Sequence, residues 1–292
     1  MKGKPLHQGF KGVVWSIIGD HEYFSNTLGL PHWSSHYPCW ECDAENFTPC
    51  TFGKGYKDIC LEKQKFRVYT HEECLVDPWS DHALFKLPGT SSCMVRGDPL
   101  HILFCKGIYG HVMGGIMHYL CYYEGPGVRT AKKPSERLAV LFSQVQVHYT
   151  QQECKNRLTN LRLSMICDPA KPWAKHPVLD CKGGESRHLL PALTPVLQSV
   201  FAGTTERCEA EMLNAATSLE KLVKLWDDIG VCPTPAQYEQ TLSLGGSFLK
   251  SYAWLNAWSL EKDRMSFHVV AKHHTPSAST QSCSGVSRGR IM

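Results

Sequence analysis

Apolar positions along this chain change their period twice. From Gly12 to Ile18 the run GVVWSII is β-branched and aromatic and is bounded by Gly12 and Gly19, so it reads as a buried strand. Asp20 stands at its end, and HEYFSNTL then predicts a short helix closed by Gly29. Residues 31–97 are rich in Pro, Cys, aromatic residues and turn formers and sustain no period. They predict a loop-rich segment with a few short strands in 60–70.

A helical pattern takes over at Asp98, an N-cap residue followed by Pro99 and LHILFCKGIYGHVMGGIMHYLCYY. The stretch EGPGVRTAKKPS predicts a boundary near 125–135. Beyond it Leu138, Leu141, Phe142, Val145 and Tyr149 make one stripe, and Met212, Ala216, Leu219, Val223 and Trp226 make a second. Phe248, Tyr252, Leu255 and Ser259 make a third, with Trp254 and Trp258 stacked one turn apart on another face. Such stripes are the core faces of a helix bundle. Pro191, Pro195, Pro233 and Pro235 are expected at helix starts or kinks. From Thr275 onward the chain is small, polar and aperiodic, which predicts disorder.

The size, 292 residues of which 42% are hydrophobic, suffices for one large domain or two. A net charge of +4 is compatible with nucleic acid without pointing to it. No apolar run approaches the ~20 residues that a membrane span needs, so no membrane association is expected. The basic, then apolar start is short for a signal peptide and lacks a small-residue cleavage site. The expectation is a protein that is not secreted and resides in the nucleus or cytoplasm. In a reducing compartment most of the fourteen scattered cysteines act as small buried hydrophobes.

One close pair stands apart. Cys39 and Cys42, in PCWEC, have the C-x2-C spacing that lets two thiolates share a metal from a tight turn. FHVVAKHH supplies His268 and His273, an H-x4-H pair, and His274 offers the same donor one residue on. Four such ligands would complete a tetrahedral structural Zn2+ site, with Zn–S ~2.3 Å and Zn–N ~2.0–2.1 Å, stapling two distant parts of the chain. Asp98 and His101, in GDPLHILF, form a D-x2-H at a helix N-terminus, either a metal or orienting pair or an ordinary cap with a first-turn histidine. Asp20 has the same two readings: a ligand beyond a strand end, or a helix cap.

The order of strand, Gly-Asp, short helix, C-x2-C, D-P-L-H, helical insertion and H-x4-H resembles the catalytic core of DDE/D transposases of the CACTA and Plavaka types. The resemblance spans roughly residues 12 to 274 and is most specific in GDHEYFSNTLGLPHWSSHYPCWEC and DPLHILFCKGI. It implies a mainly α fold with a small β element: a partial RNase H-like α/β core with a zinc knuckle over 1–125, and an all-α insertion over 126–265. A return segment with the histidine pair over 266–274 and a disordered tail over 275–292 would follow. It implies that Asp20 is the second acid of a catalytic triad and that Asp98 and His101 are the family's D-x2-H. Cys39, Cys42, His268 and His273 would bind zinc.

The implied chemistry is DNA strand transfer by two Mg2+ or Mn2+ ions held by three carboxylates, in an intact parent that could be homo-oligomeric. This chain departs from that pattern. No Asp or Glu precedes Asp20 and none follows Asp263, so the first and third acids are missing. The expectation is a fragment of a transposase-like protein, zinc-binding and inactive by itself. The alternative is a non-enzymatic DNA- or protein-binding derivative of a transposable element, for which Arg129, Lys132, Lys133 and Arg137 are a small basic cluster. They read equally as a solvated linker. A zinc hydrolase, the third class, needs an open coordination position, which a closed Cys2His2 set would not leave.

Overall fold

The computed structural model describes residues 16–46, 54–59, 65–76, 79–123, 133–229, 233–270 and 272–274. It is mainly helical, with a single small sheet among the described residues. Strand β1 (Ile17–Gly19) pairs in parallel with β2 (Val95–Gly97), and the register sets Ile17 against Val95 and Gly19 against Gly97. One face of this pair packs on Phe24, Leu28, Leu30, Trp40 and Phe85. The other face is open, and Ile18 is 63% exposed. The sequence predicts a buried strand; two strands cover one face only, because side chains alternate along each. Residues 12–15 of the predicted run, and the 60–64 part of the segment expected to hold further strands, lie outside the described residues. In the rest of that segment the antiparallel bridge Cys42–Val68 is the only pairing.

The helix after β1, α1 (His21–Leu28), starts and stops as its residues dictate. Asp20 accepts the Tyr23 N–H at its N-terminus, and Gly29 closes it in the left-handed conformation at φ 67°. A short α2 (His71–Val76) precedes β2. The helix expected after Asp98 is in fact two, α3 (Pro99–Leu103) and α4 (Ile108–Tyr122). Lys106 at φ 48° breaks it, a conformation that costs a side-chain-bearing residue about 1 kcal/mol or more. The Lys272 ammonium donates to the carbonyls of Cys105 and Lys106 across this break, at 2.9 and 3.3 Å.

Helices α5 (Pro134–Gln151), α6 (Gly183–Val200), α7 (Arg207–Asp228) and α8 (Pro235–Glu261) complete the bundle. Their buried faces carry the stripes legible in the sequence: Leu138, Leu141, Val145 and Tyr149 on α5, Met212, Ala216, Leu219 and Val223 on α7, and Phe248, Tyr252, Leu255 and Ser259 on α8. Trp226 departs from its stripe, being 37% exposed near the end of α7. The rings of Trp254 and Trp258 stack at 6.5 Å, as their spacing predicts. Pro191 and Pro195 lie inside α6. Pro195 has no N–H for the Pro191 carbonyl, and the Gln152 side chain donates to that carbonyl instead, at 3.4 Å.

Helix α4 shares one hydrophobic core with α5–α8, so the sequence boundary near 125–135 does not divide two cores. Residues 124–132 of that boundary, with Arg129 and Lys132, lie outside the described residues. Arg137, assigned by sequence to a basic cluster, instead donates to the carbonyls of Cys121 and Tyr123 at the end of α4.

The segment 266–270 crosses α4 at Gly115. A Cβ on Gly115 would lie 2.6 Å from the Phe267 ring and 2.8 Å from the Ser266 carbonyl oxygen, so only glycine permits this approach. Phe267 and Val269 are buried there, and Asn256 and Tyr252 of α8 donate to the carbonyls of Phe267 and His268 at 2.8 and 3.1 Å. This crossing carries residues 272–274 back to the N-terminal part of the molecule.

Candidate metal centre and adjoining cleft

The turn at 38–42 brings two thiols together, and the Glu41 N–H donates to the Cys39 sulfur at 3.4 Å, which fixes the turn around that atom. Glu41 also forms an ion pair with Arg96 of β2 and so ties this turn to the sheet. The third member is His274, whose Nε2 lies 3.2 Å from Cys42 Sγ. One ligand atom from each of Cys39, Cys42 and His274 lies within 4.8 Å of the other two. Cys42 and His274 are buried, and Phe66 packs its ring edge-on to the imidazole at 4.9 Å. Hydrogen bonding to Cys42, then burial, then the charge of Cys42 push the Cys39 thiol well above the usual range, while His274 pulls the other way. Holding both sulfurs as thiolates this close together would take a cation. A soft thiolate pair with an imidazole is the donor chemistry of Zn2+, so the residues fit a metal of that kind.

The cysteine half of the expected site is therefore brought together with the alternative histidine, His274, and not with His268 or His273. His273 is fully buried, its ring stacked on Tyr252 at 4.5 Å, and its Nδ1 accepts the Val270 N–H at 3.2 Å. Burial first, and then the charge of His111, lower its pKa. His268 stacks on His176 at 4.0 Å, and its pKa falls to about 4, through burial and then the charge of His176. Both rings belong to a neutral aromatic layer beside α4 and α8, where protonation would set unpaired charge among apolar groups.

At the sheet ends lies a cleft of about 460 Å3 whose walls include Asp20, Trp33, Asp98, His101, His111 and Lys272. The register of β1 and β2 explains why both aspartates reach it. Gly19 and Gly97 are partners, the Asp98 N–H donates to the Gly19 carbonyl at 2.7 Å, and each strand ends on its aspartate. Both carboxylates cap helices: Asp20 Oδ1 accepts from Tyr23 N–H at 2.6 Å and Asp98 Oδ1 from Leu100 N–H at 2.9 Å. His101 stands between them, with Nδ1 at 2.7 Å from Asp98 Oδ2 and Nε2 at 3.9 Å from Asp20 Oδ2. The hydrogen bond from His101 holds the Asp98 carboxyl below the usual carboxylate range.

The cap and ligand readings of Asp20 and Asp98 thus coexist in one geometry. Each carboxylate uses one oxygen on a helix N-terminus and turns the other toward the imidazole. His101 is hydrogen-bonded to Asp98 and lies within ion-pair distance of Asp20. For a hard divalent cation the trio offers oxygens on either side of a ring that would have to turn aside. Among the described residues, Cys39, Cys42 and His274 are the only group of three such donors already clustered at ligand distance. Sequence reasoning missed Arg96, Lys272 and His111 at this site. They arrive from segments far apart in the chain, and no local spacing marks them. No helix among the described residues is long and apolar enough to cross a membrane. No family model, curated protein or solved structure matches the chain.

Proposed function

We propose that this chain is a zinc-braced scaffold of the DDE/D transposase type, directed at DNA and unable to transfer strands alone. The observation that carries this reading is the parallel strand pair, which delivers Asp20 and Asp98 to one cleft with the Cys39–Cys42–His274 cluster nearby. Carboxylates beyond the ends of adjacent parallel strands are where α/β sheets place their ligands. The register of the two strands supports treating Asp98 as Asp20's companion. In this reading zinc, held by Cys39, Cys42 and His274, fixes the segment after α8 against the knuckle. Its role is structural, because binding and folding free energies are shared.

Two-metal strand transfer requires bridging and terminal carboxylates together. Two acids, each capping a helix, meet part of that need, which is why the chain is proposed to be inactive unless a further acid is supplied. The helix caps also favour a second reading, in which cleft and scaffold bind DNA or protein without chemistry.

Metal analysis of the purified chain is expected to find one zinc per molecule, and Cys39→Ser is expected to lose it. Sub-stoichiometric zinc that Cys39→Ser leaves unchanged would end the zinc assignment. Supercoiled plasmid with Mg2+ or Mn2+ is expected to stay closed. Robust nicking abolished by Asp20→Ala would overturn the inactive assignment. Duplex binding that weakens steeply with salt would support DNA as the partner, and salt-independent binding would count against it.

A further inference from the structure

A second pair of sulfurs lies outside the zinc cluster. Cys74, buried on α2, and Cys93, half-buried in the 3-10 turn Ser92–Met94 before β2, are 2.8 Å apart at their Sγ atoms. That separation falls between a disulfide bond of ~2.05 Å and an ordinary non-bonded contact of ~3.5–4.0 Å. The geometry places the Cys93 thiol as donor and the Cys74 sulfur as acceptor, with the Thr70 carbonyl a more distant acceptor for Cys93 at 3.6 Å. This hydrogen bond lowers the Cys74 pKa and raises that of Cys93. Among the described residues no third Cys, His, Asp or Glu donor joins them at metal-ligand distance. The nearby His71 ring has its own partner, Ser91 Oγ at 2.8 Å. Two sulfurs this close already have the approach that oxidation to a disulfide requires.

We propose that Cys74 and Cys93 form a reversible disulfide, with a hydroperoxide as the oxidant. One thiolate of the pair attacks the peroxide oxygen, breaks the O–O bond and becomes a sulfenic acid, while the departing oxygen takes a proton and leaves as water or alcohol. The neighbouring sulfur then displaces the sulfenic oxygen, which leaves as water carrying the second proton. Two thiols lose two electrons and two protons, and the peroxide gains them. Cys74, which accepts the hydrogen bond, is the attacking sulfur, and Cys93 is the one that displaces the sulfenic oxygen. A dithiol reductant reverses the bond by exchange and leaves as its own cyclic disulfide. The bond would fasten α2 to the turn that feeds β2, and hence to the strand that ends at Asp98.

The sequence makes the product simple to read. Trypsin cuts after Arg67, Lys86 and Arg96, which leaves Cys74 in peptide 68–86 and Cys93 in peptide 87–96, each the only cysteine of its peptide. The full zinc-loaded chain is treated with a small excess of hydrogen peroxide, alkylated under denaturing conditions, digested and mapped by mass spectrometry. The expected result is joint loss of these two thiols, a cross-linked 68–86/87–96 species, and return of both thiols with dithiothreitol. The Cys74→Ser variant, with helical content checked by circular dichroism, should give no cross-link at Cys93. Because the proposal is independent of the zinc reading, the double variant C39S/C42S should form the same cross-link. Both peptides remaining fully alkylated while other cysteines oxidise would overturn the proposal, as would Cys93 pairing with a different cysteine in the unaltered chain.

Discussion

Replacing Phe267 with alanine should damage two properties that ordinarily have nothing to do with each other. Phe267 is fully buried where segment 266–270 crosses α4, its ring against Gly115 and edge-on to Tyr252 at 6.0 Å and 89°. Its surroundings cannot close over a cavity, since α4 already presents bare backbone there and α8 is fixed by its own packing. The cost therefore belongs in the range for a buried Phe→Ala change, about 3–5 kcal/mol. At roughly 2–4 °C per kcal/mol for a chain of this general size, melting should fall by roughly 10 °C.

The second effect follows from connectivity. Phe267 anchors the segment that delivers His274 to Cys42 at 3.2 Å, so loosening it should also weaken the zinc binding proposed above, by at least about tenfold if ~1.4 kcal/mol of the loss appears at the site. Leu193→Ala on α6 is the control: it empties an equally buried position in the same core but has no link to the returning segment. Thermal unfolding with saturating zinc, and zinc affinity by chelator competition at a temperature where both variants are folded, make the comparison. Equal zinc affinities in the two variants would refute the idea that the crossing over Gly115 positions His274.

Two further outcomes are expected. Because His101 holds the folded-state pKa of Asp98 below its unfolded value of about 3.9, this group's contribution is complete above that value and disappears as pH falls through the lower folded value; stability measured without divalent ions from pH 5 to pH 2 should therefore fall more steeply in the parent than in Asp98→Asn, and parallel curves would refute the coupling. Tyr119→Phe removes a 2.8 Å hydrogen bond to the buried Glu209 carboxylate, which also accepts from Thr204 at 2.7 Å, and should cost about 1–3 kcal/mol in urea denaturation; an unchanged midpoint would show that this hydroxyl is dispensable.

What the chain discloses before folding depends on how local each instruction is. Asp20, Gly29 and Asp98 act within a few residues of themselves, and each caps as its type predicts. The stripes of α5, α7 and α8 are legible because a buried helical face repeats at a fixed interval, and Trp226 fails only where α7 nears its end. The three residues of β2 carry no period at all, so the strand exists for the reader only once its pairing with β1 is seen. The break at Lys106 is equally silent, since a lysine at φ 48° is held by the distant Lys272 and by no signal of its own. At the metal cluster the thiolate spacing is readable, but the choice between His273 and His274 turns on which imidazole faces Cys42, a matter of one residue's rotation about the backbone.

The contact between Cys42 and His274 spans 232 positions of sequence. During synthesis the sulfurs emerge long before the imidazole exists, and the intervening helices must dock before the two can meet. Until then the turn at Cys39 and Cys42 is a two-handed grip with nothing to close it, exposed to scavenging metals and to stray oxidation. A metal held by all three donors would thus be captured late, only after the residues between Cys42 and His274 have been made.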